Sequence, residues 1–311
     1  MKTALIIARK EFRAAFRNRL FLTITFLFLG LSILSVYIGS TTKRAEMRIY
    51  NETITTLQAQ DVTTLPAAPE IRTLTILANL IEYVSMVGAI LAVILGYNTL
   101  IDEKESGGLK LILSRPVFRD QLITGKLLGN AAVIAVLLGL IFIFNLVLLV
   151  LVGGILPTAG EVARLFAFML MAFSYMLIFL SLAMLLSIRM NNSATVFLIA
   201  LVVWTVFSFV VPQMAETLMS NSSVVNGISG SVNQIPQDTA ISQAINFISP
   251  TWHLRNIGGQ LLQSAAGSGA MSAGTLASHA LTTLLALLAP TVAFIAAGFT
   301  IFSRNETLVL E

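Results

Sequence analysis

Cysteine is absent from this 311-residue chain, and charged residues make up only 11% of it. Without cysteine there is no disulfide framework, no thiolate nucleophile and no cysteine-based metal site. A soluble domain of this length has about a quarter of its residues charged. Because 56% of this chain is hydrophobic, its composition indicates a membrane protein.

Histidine is also scarce, since the chain has only His253 and His279. No His-Glu-x-x-His motif is present, and the segment 227–230 misses the spacing of a Gly-x-Ser-x-Gly nucleophile motif. Copper binding by the 11 scattered methionines stays open, although packing is their ordinary role. We therefore expect no catalytic residue, no metal site and no cofactor bound by this chain.

Long apolar runs dominate the remaining sequence. A membrane-crossing helix needs about 20 apolar residues, because the hydrocarbon core is about 30 Å thick. Helices are expected, because lipid offers no partners to backbone groups and the runs lack a period of two. The predicted fold is all-α, a polytopic membrane protein with one domain over 1–311. Six runs qualify, at about 20–38, 76–101, 127–152, 165–188, 194–212 and 276–302.

Lysine and arginine are distributed unevenly around these runs. Thirteen of the 19 lie before the first run, between the second and third, or after the fourth and sixth. Because basic residues favour cytoplasmic loops, we expect both termini on the cytoplasmic side of a cell membrane, inner or plasma. Segments 41–75 and 213–275 are then external. We expect no cleaved signal peptide, because the first run is too long and no small-residue cleavage site follows it.

Residues 3–18 show helical periodicity before the first run. Leu5, Ala8, Phe12 and the pair Ala15/Phe16 recur at helical spacing, and basic residues occupy the other side. This pattern predicts an amphipathic helix at the cytoplasmic membrane surface, with its cations facing anionic lipid. The simpler alternative is a basic flank of the first run.

The external segments carry three local signals. Residues 43–60 lack a helix breaker, so we expect them to prolong the first helix above the membrane. The segment after 213 is rich in Ser, Asn, Gly and Gln, which predicts a loop. Residues 240–248 are mildly amphipathic, and Ser249-Pro250 has the pattern of a cap with a first-turn proline, which predicts a second short helix over 251–263.

The connector 102–126, between the second and third runs, is charged and broken by glycine. Its acidic residues precede a short helix, where exposed N–H groups favour negative charge. Its two glycines let the chain turn into the membrane plane, and its proline ends the short helix. This pattern predicts a docking element for a soluble partner, with an ordinary solvated loop as the alternative. The candidate docking residues are Glu103, Glu105, Gly107, Gly108, Leu109, Leu113, Pro116, Arg119 and Lys126.

The order of these residues resembles the signature loop of type-2 ABC exporter permeases. In that family an acidic pair precedes Gly-Thr-Leu, followed by a Leu-rich turn, Pro-Val, Arg and Gly-Lys. Gly108 replaces the family's Thr, and Lys110 stands where Glu is frequent. The order of elements and the opening at 8–12 are also similar, and the chain looks closest to the NosY-like permeases of that family.

This resemblance implies a permease subunit of an ATP-driven exporter, paired with a second copy or a paralogue in the lipid bilayer. Its connector would be a coupling helix that contacts a separate ABC ATPase chain, which would bind ATP and Mg. This chain has no Walker A motif there, because Leu127 follows Gly125-Lys126. We expect no nucleic-acid partner. A NosY-like role in nitrous oxide reductase maturation and export of lipid, peptide or antibiotic both stay open.

Polar residues inside the predicted spans are few. Asn79, Glu82 and Asn145 are candidates for a transport path, because polar groups at membrane depth usually mark one. Glu82 is equally explained as an acid at the wet end of a helix, and Asn145 as an interhelical hydrogen bond. The scarcity of carboxylates argues against ion-coupled transport. The competing hypothesis is a six-span scaffold or secondary carrier without an ATPase.

Overall fold

The computed structural model describes residues 2–59, 73–105, 107, 118–154, 156–225, 232–262 and 273–304. In these residues, helices make up nearly all the regular structure, and six are long and apolar enough to span a membrane. Each overlaps one predicted run, so the predicted all-α, six-span fold is confirmed. Spans one to six are Arg19–Ala59, Thr73–Ile101, Asp120–Leu151, Ala159–Arg189, Ser193–Thr217 and Thr275–Phe302.

The elements are labelled in chain order. α1 is Lys2–Ala15, and span one is α2, Arg19–Ala59. Span two contains a 3-10 turn at Thr73–Leu77, α3 at Asn79–Tyr83, a π turn at Val84–Gly88 and most of α4. α4 is Ala89–Glu105, and its last turn extends beyond the span. Span three is α5, Arg119–Leu151, and span four is α6, Ala159–Arg189. Span five consists of α7 at Ser193–Thr205, a π turn at Val206–Val210 and α8 at Val211–Thr217. Two strands follow, β1 (Ser220–Val225) and β2 (Val232–Gln237). After them come α9 (Ala240–Ile248), α10 (Pro250–Leu262) and α11 (Ala273–Arg304), and α11 contains span six.

Polar caps set the starts of several helices. The Asn18 side chain accepts hydrogen bonds from the backbone N–H groups of Leu20 and Phe21, which begins span one. Thr158 and Glu161 form a reciprocal capping box at the start of span four. These side chains satisfy N–H groups that have no partner inside the helix.

Span one is longer than a bilayer requires. Its 41 residues extend about 60 Å at about 1.5 Å per residue, roughly twice the hydrocarbon thickness. The predicted prolongation over 43–60 is therefore confirmed through Ala59. This extension places Lys43 and Arg44 beyond the apolar part of the helix, and Arg44 donates a hydrogen bond to the Val152 carbonyl at the end of span three.

Spans two and four form the centre of the bundle. In their most apolar segments 78% and 72% of the residues are buried, against 28%, 22% and 17% in spans one, five and six. The three outer spans therefore keep wide apolar faces that only lipid or another membrane protein can cover. Spans two and four pack directly against each other.

The segment after span five is a hairpin where the sequence predicted a loop. β1 and β2 pair antiparallel, with Ser220 opposite Gln237 and Val225 opposite Val232. The loop prediction is therefore wrong for these two strands. Ladder hydrogen bonds join backbone groups, so a pair of strands forms here although Ser, Asn and Gln are weak strand formers.

α9 and α10 form a helical turn that reaches into the bundle. α9 matches the predicted helix over 240–248, and α10 begins at Pro250, one residue before the predicted start. Ser249 caps α10 as predicted, because its hydroxyl accepts a hydrogen bond from the Trp252 N–H. Thr251, two residues after Ser249, contacts Tyr175, which lies near the middle of span four.

Candidate functional site

α1 lies across the beginning of span three on a stripe of small residues. A Cβ atom at Gly125 would lie 2.7 Å from the Ala4 carbonyl oxygen, and one at Gly129 would lie 2.7 Å from that of Ala8. Both pairs are spaced by one helical turn. Small residues at this spacing let two helix backbones approach closely, so α1 is fixed on span three at the backbone level.

The apolar side chains of α1 lie on two sides of the helix. Ala4, Ala8 and Ala15 are buried, whereas Leu5 is 71% exposed and Ile6 is 70% exposed. The same glycines also lie close to Ile7 and Glu11, whose Cβ atoms would each be 2.8 Å from a Cβ atom added at Gly125 and Gly129. The position of α1 at the membrane surface stays a prediction.

A buried ammonium group joins α1, the end of span two and the start of span three. The Lys126 side chain is 2% exposed, and its Nζ lies 2.9 Å from a Glu11 carboxylate oxygen and 3.0 Å from one of Glu103. Lys10 adds a second contact to Glu103, at 2.9 Å. We call Lys10, Glu11, Glu103 and Lys126 the charge cluster. Two cations and two anions compensate one another within it.

Backbone and amide groups complete the surroundings of the charge cluster. Lys126 also donates a hydrogen bond to the Thr99 carbonyl on span two. The Asn130 amide donates to the Thr99 hydroxyl at 3.0 Å. A buried charge is tolerated only when it is paired and hydrogen-bonded, and Lys126 meets both conditions.

Lys104 attaches the same end of span two to the end of span four. Its ammonium donates to the carbonyl oxygens of Ser187, Ile188 and Met190 at 2.8–2.9 Å. These are the last carbonyls of a helix, which lack intrahelical donors and carry partial negative charge. Burial lowers the pKa of the Lys104 ammonium below its ordinary value.

The predicted docking residues fall into four groups. Glu103 and Lys126 belong to the charge cluster, and Gly107 follows span two with a positive φ of 70°, a conformation that glycine adopts readily. Glu105 and Arg119 are the last residue of α4 and the first of α5. Gly108, Leu109, Leu113 and Pro116, with the predicted coupling helix, lie outside the described residues, and the docking role stays a prediction.

The exposed side of α1 carries a basic groove of about 720 Å³. Lys10 contributes to it and also binds Glu103. Burial alone would lower the pKa of Lys10, but the hydrogen bond and charge of Glu103, with the charge of Glu11, raise it above its ordinary value. Lys10 therefore stays charged at neutral pH. Its basic neighbours in the groove are Arg9, Arg13 and Arg17.

A second polar group lies in the middle of the bundle, where the two π turns face span four. The Tyr175 hydroxyl and the Trp204 indole N–H both donate to the Ser85 carbonyl, at 2.7 and 3.3 Å. The Tyr175 hydroxyl also contacts the Thr251 hydroxyl at 3.1 Å, and the latter contacts the Ser208 hydroxyl at 2.7 Å. These contacts connect spans two, four and five with α10.

The three transport-path candidates are separated in the structure. Glu82 forms an ion pair with Arg255 of α10 at 2.7 Å and is 47% exposed, which favours the helix-end explanation. Asn145 is fully buried in span three, and its amide donates to the Ile141 carbonyl of the same helix. Asn79 begins α3. No contact among the described residues joins the three, and a path through them stays a prediction.

Sequence reasoning missed Glu11, Thr99 and Asn130. Their partners lie 115, 27 and 31 positions away in the chain, so no local pattern indicates them. One signal was available for α1, however. Glycines spaced by four in span three, opposite alanines spaced by four in α1, indicate a close helix crossing.

Six apolar helices define a multi-pass membrane protein. Its charge cluster joins α1, the end of span two and the start of span three. Residues 5–307 match the family described as ABC-2 family transporter protein. The chain therefore belongs to this family.

Two relatives carry the name probable ABC transporter permease protein NosY. The protein of Stutzerimonas stutzeri is 27% identical over 208 residues, which cover 66% of this chain and 66% of the relative. The protein of Pseudomonas aeruginosa is 30% identical over 129 residues, which cover 42% of this chain and 39% of the relative. The chain thus spans less than two thirds of the length of each relative that it matches.

Proposed function

We propose that this chain converts ATP hydrolysis in a separate ABC ATPase subunit into export through a cleft between two permease copies, identical or paralogous. The ATPase subunits bind ATP and Mg, and this chain binds neither. The connector 102–126 docks on the ATPase and passes its movement to spans two and three. We propose export rather than uptake because the connector resembles that of exporter permeases.

The charge cluster is the observation that supports this proposal most directly. Glu103 lies at the start of the connector and Lys126 lies at its end, and their charged groups are 3.0 Å apart. Both ends of the connector are therefore held to one another and, through Glu11, to α1. A connector anchored in this way transmits a push to two spans at once. Lys126 acts by positioning the connector, because its buried ammonium is inaccessible to a partner.

The proposed orientation puts α1 and the charge cluster in the cytoplasm of a cell membrane. The basic groove of α1 supports this orientation, because anionic lipid headgroups attract such clusters. The exposed Leu5 and Ile6 beside the groove suit a helix that lies in the membrane surface. The extension of span one and the β1–β2 hairpin are then external.

A second permease copy is part of the proposal because the outer spans are incompletely covered. In span six only 17% of the most apolar segment is buried, and in span five 22%. In the described spans two to six, the acids Glu82, Asp120, Glu161 and Glu216 lie toward the ends of their spans, which favours ATP-driven over ion-driven transport. We expect an anchored connector in a subunit that couples to an ATPase, and we do not expect one in a scaffold or a secondary carrier.

A NosY-like role in nitrous oxide reductase maturation is the more specific candidate, since both relatives carry that name. Nitrous oxide reductase genes beside this gene would support it. A neighbourhood of lipid, peptide or antibiotic export genes would favour the other cargo classes.

Docking is tested by changing the connector and measuring how much ATPase subunit purifies with the permease. We expect Glu105→Lys and Leu109→Asp to insert normally and to lose most of the bound ATPase, at least tenfold. The first reverses a charge and the second replaces an apolar candidate docking residue with a carboxylate. ATPase activity of the purified complex should fall in parallel.

Matched control substitutions are available on the extension of span one. Glu52→Lys and Ile49→Asp make the same kinds of change at positions that are exposed in the structure. Both controls should retain the ATPase. Wild-type amounts of ATPase with both connector variants would refute the docking role, and cargo movement by the permease alone without nucleotide would favour a secondary carrier.

A further inference from the structure

A large apolar cavity opens between spans four, five and six, beside the turn that joins α9 to α10. Its volume is about 740 Å³, which is within the range of about 300–1,000 Å³ for small-molecule sites. Nearly all of its wall is aliphatic or aromatic. The residues used below are Phe207 of span five, Ile248 and His253 beside the turn, and Thr282, Ala286 and Ala289 of span six.

The cavity lies at the depth of the hydrocarbon core. Ala286 and Ala289 line it from about the middle of span six, Thr275–Phe302. Phe179, which also lines it, follows Tyr175 by one turn near the middle of span four. Because most of span six is uncovered by this chain, its neighbours at this depth are lipid or another membrane protein. The cavity therefore adjoins an apolar medium rather than water.

The polar groups at the cavity wall are already satisfied within the protein. The Thr282 hydroxyl donates to the His279 carbonyl at 2.9 Å, and the His253 Nε2 is hydrogen-bonded with the Phe247 carbonyl at 2.9 Å. A buried water needs two to four polar partners, and apolar cavities without them stay dry. An unfilled cavity would lose dispersion contacts along its whole wall. The surrounding bilayer supplies hydrocarbon to fill it.

We propose that this cavity is a binding site for an acyl chain of a bilayer phospholipid. The chain lies against Ala286 and Ala289 of span six and reaches Phe207 and Ile248. The two alanines make the space, since larger side chains at either position would occupy it. A bound chain packs against the turn between α9 and α10 and so stabilises the position of these helices in the bundle.

The size of the cavity argues for a single chain rather than a helix of a second copy. An α-helix is about 10 Å across, and a cavity of about 740 Å³ would hold only about 9 Å of it, or six residues. A hydrocarbon chain is far narrower and follows the curved wall without breaking backbone hydrogen bonds. The proposal needs only the membrane-spanning fold and is independent of ATPase docking.

The test uses the full-length chain in vesicles that contain a phospholipid with a photoreactive diazirine near the end of one acyl chain. After illumination, labelled residues are mapped by peptide mass spectrometry. We expect residues of the cavity wall to be labelled at least fivefold more than Ile143 of span three, which is 59% exposed. Ala286→Phe and Ala289→Phe should each reduce cavity labelling at least threefold.

Ala296→Phe is the matched control, because Ala296 is exposed on the same helix and does not line the cavity. It should leave cavity labelling unchanged, and all three variants should keep the labelling of Ile143. If the cavity residues of the wild-type protein are labelled no more than Ile143, the proposal is overturned, whatever the variants show. A disulfide-linked dimer of Ala289→Cys in this cysteine-free chain would also overturn it, because it would assign the cavity to a second copy.

Discussion

At the scale of single residues, Lys126 shows how a hydrophobic protein holds a charge inside it. Its ammonium is 2% exposed and has Glu11, Glu103 and the Thr99 carbonyl as partners. Desolvating such a group is costly, and breaking a buried pair costs more than the pair contributes, because the partner is left charged and unpaired. The charge cluster therefore stabilises one arrangement of α1 and spans two and three against alternatives that separate the charges.

Removing this ammonium should destabilise the protein far more than removing a neighbouring exposed one. We expect Lys126→Met to cost about 3–5 kcal/mol, because it leaves Glu11 and Glu103 without their buried partner. Lys10→Met, at a position where the side chain is 62% exposed, should cost less than about 1 kcal/mol. Thermal unfolding of the two variants in the same detergent measures the difference.

The double variant Lys126→Met with Glu11→Gln serves as the control for charge. It removes one unpaired carboxylate and should recover part of the lost unfolding temperature. Equal unfolding temperatures for Lys126→Met and Lys10→Met would show that the buried pair has no stabilising role.

At the scale of elements, the sequence predicted the spans well and the interruptions within them poorly. Runs of apolar residues, the cap at Ser249 and the extension past residue 43 are local features, and the structure agrees with them. The π turns in spans two and five have no such local signal. One carbonyl of the first turn, that of Ser85, accepts hydrogen bonds from Tyr175 and Trp204 on other spans.

The charge cluster was partly predictable, because two of its residues are marked by local features of the sequence. Glu103 and Lys126 stood out as charges beside apolar runs, so their importance was visible in the sequence. Their mutual contact was not visible, because it depends on how spans two and three pack. The role of Glu11 depends on the crossing of α1 over span three, which is a tertiary contact between residues far apart in the chain.

The crossing of α1 over span three gives a prediction with an internal control. We expect Gly125→Leu or Gly129→Leu to push α1 off span three, because the new side chain would overlap backbone atoms of α1. Overpacking of this kind costs about 1–3 kcal/mol. Gly139→Leu makes the same change on the same helix, at a position where an added Cβ atom would have no neighbouring side chain or helix within 4 Å.

Limited proteolysis of α1 distinguishes these variants. Cleavage after the basic residues of α1 should become several-fold faster in Gly125→Leu and Gly129→Leu and should stay at the wild-type rate in Gly139→Leu. Unchanged cleavage in all three variants would contradict the close crossing that the glycine stripe implies.

At the scale of the whole molecule, charge is concentrated at the two ends and the middle is held by neutral contacts. One end carries the charge cluster, Lys104 and the basic groove of α1. The middle is connected through the hydroxyl groups around Tyr175, and α10 is tied to span two by the pair of Glu82 with Arg255. Span two and its end contribute Glu82, Ser85, Glu103 and Lys104 to these regions, so this span connects the connector end of the molecule with α10.

The orientation of this arrangement decides whether the connector is within reach of a cytoplasmic ATPase. Because the chain has no cysteine, one introduced thiol reports its side of the membrane without background. We expect Lys110→Cys to react with a membrane-impermeant maleimide in inside-out vesicles and to be protected in intact cells. Glu52→Cys, on the extension of span one, should show the opposite pattern, because span one separates it from the charge cluster. Labelling of residue 110 in intact cells would place the connector outside and leave the anchored connector without an ATPase to bind, whatever the strength of the charge cluster.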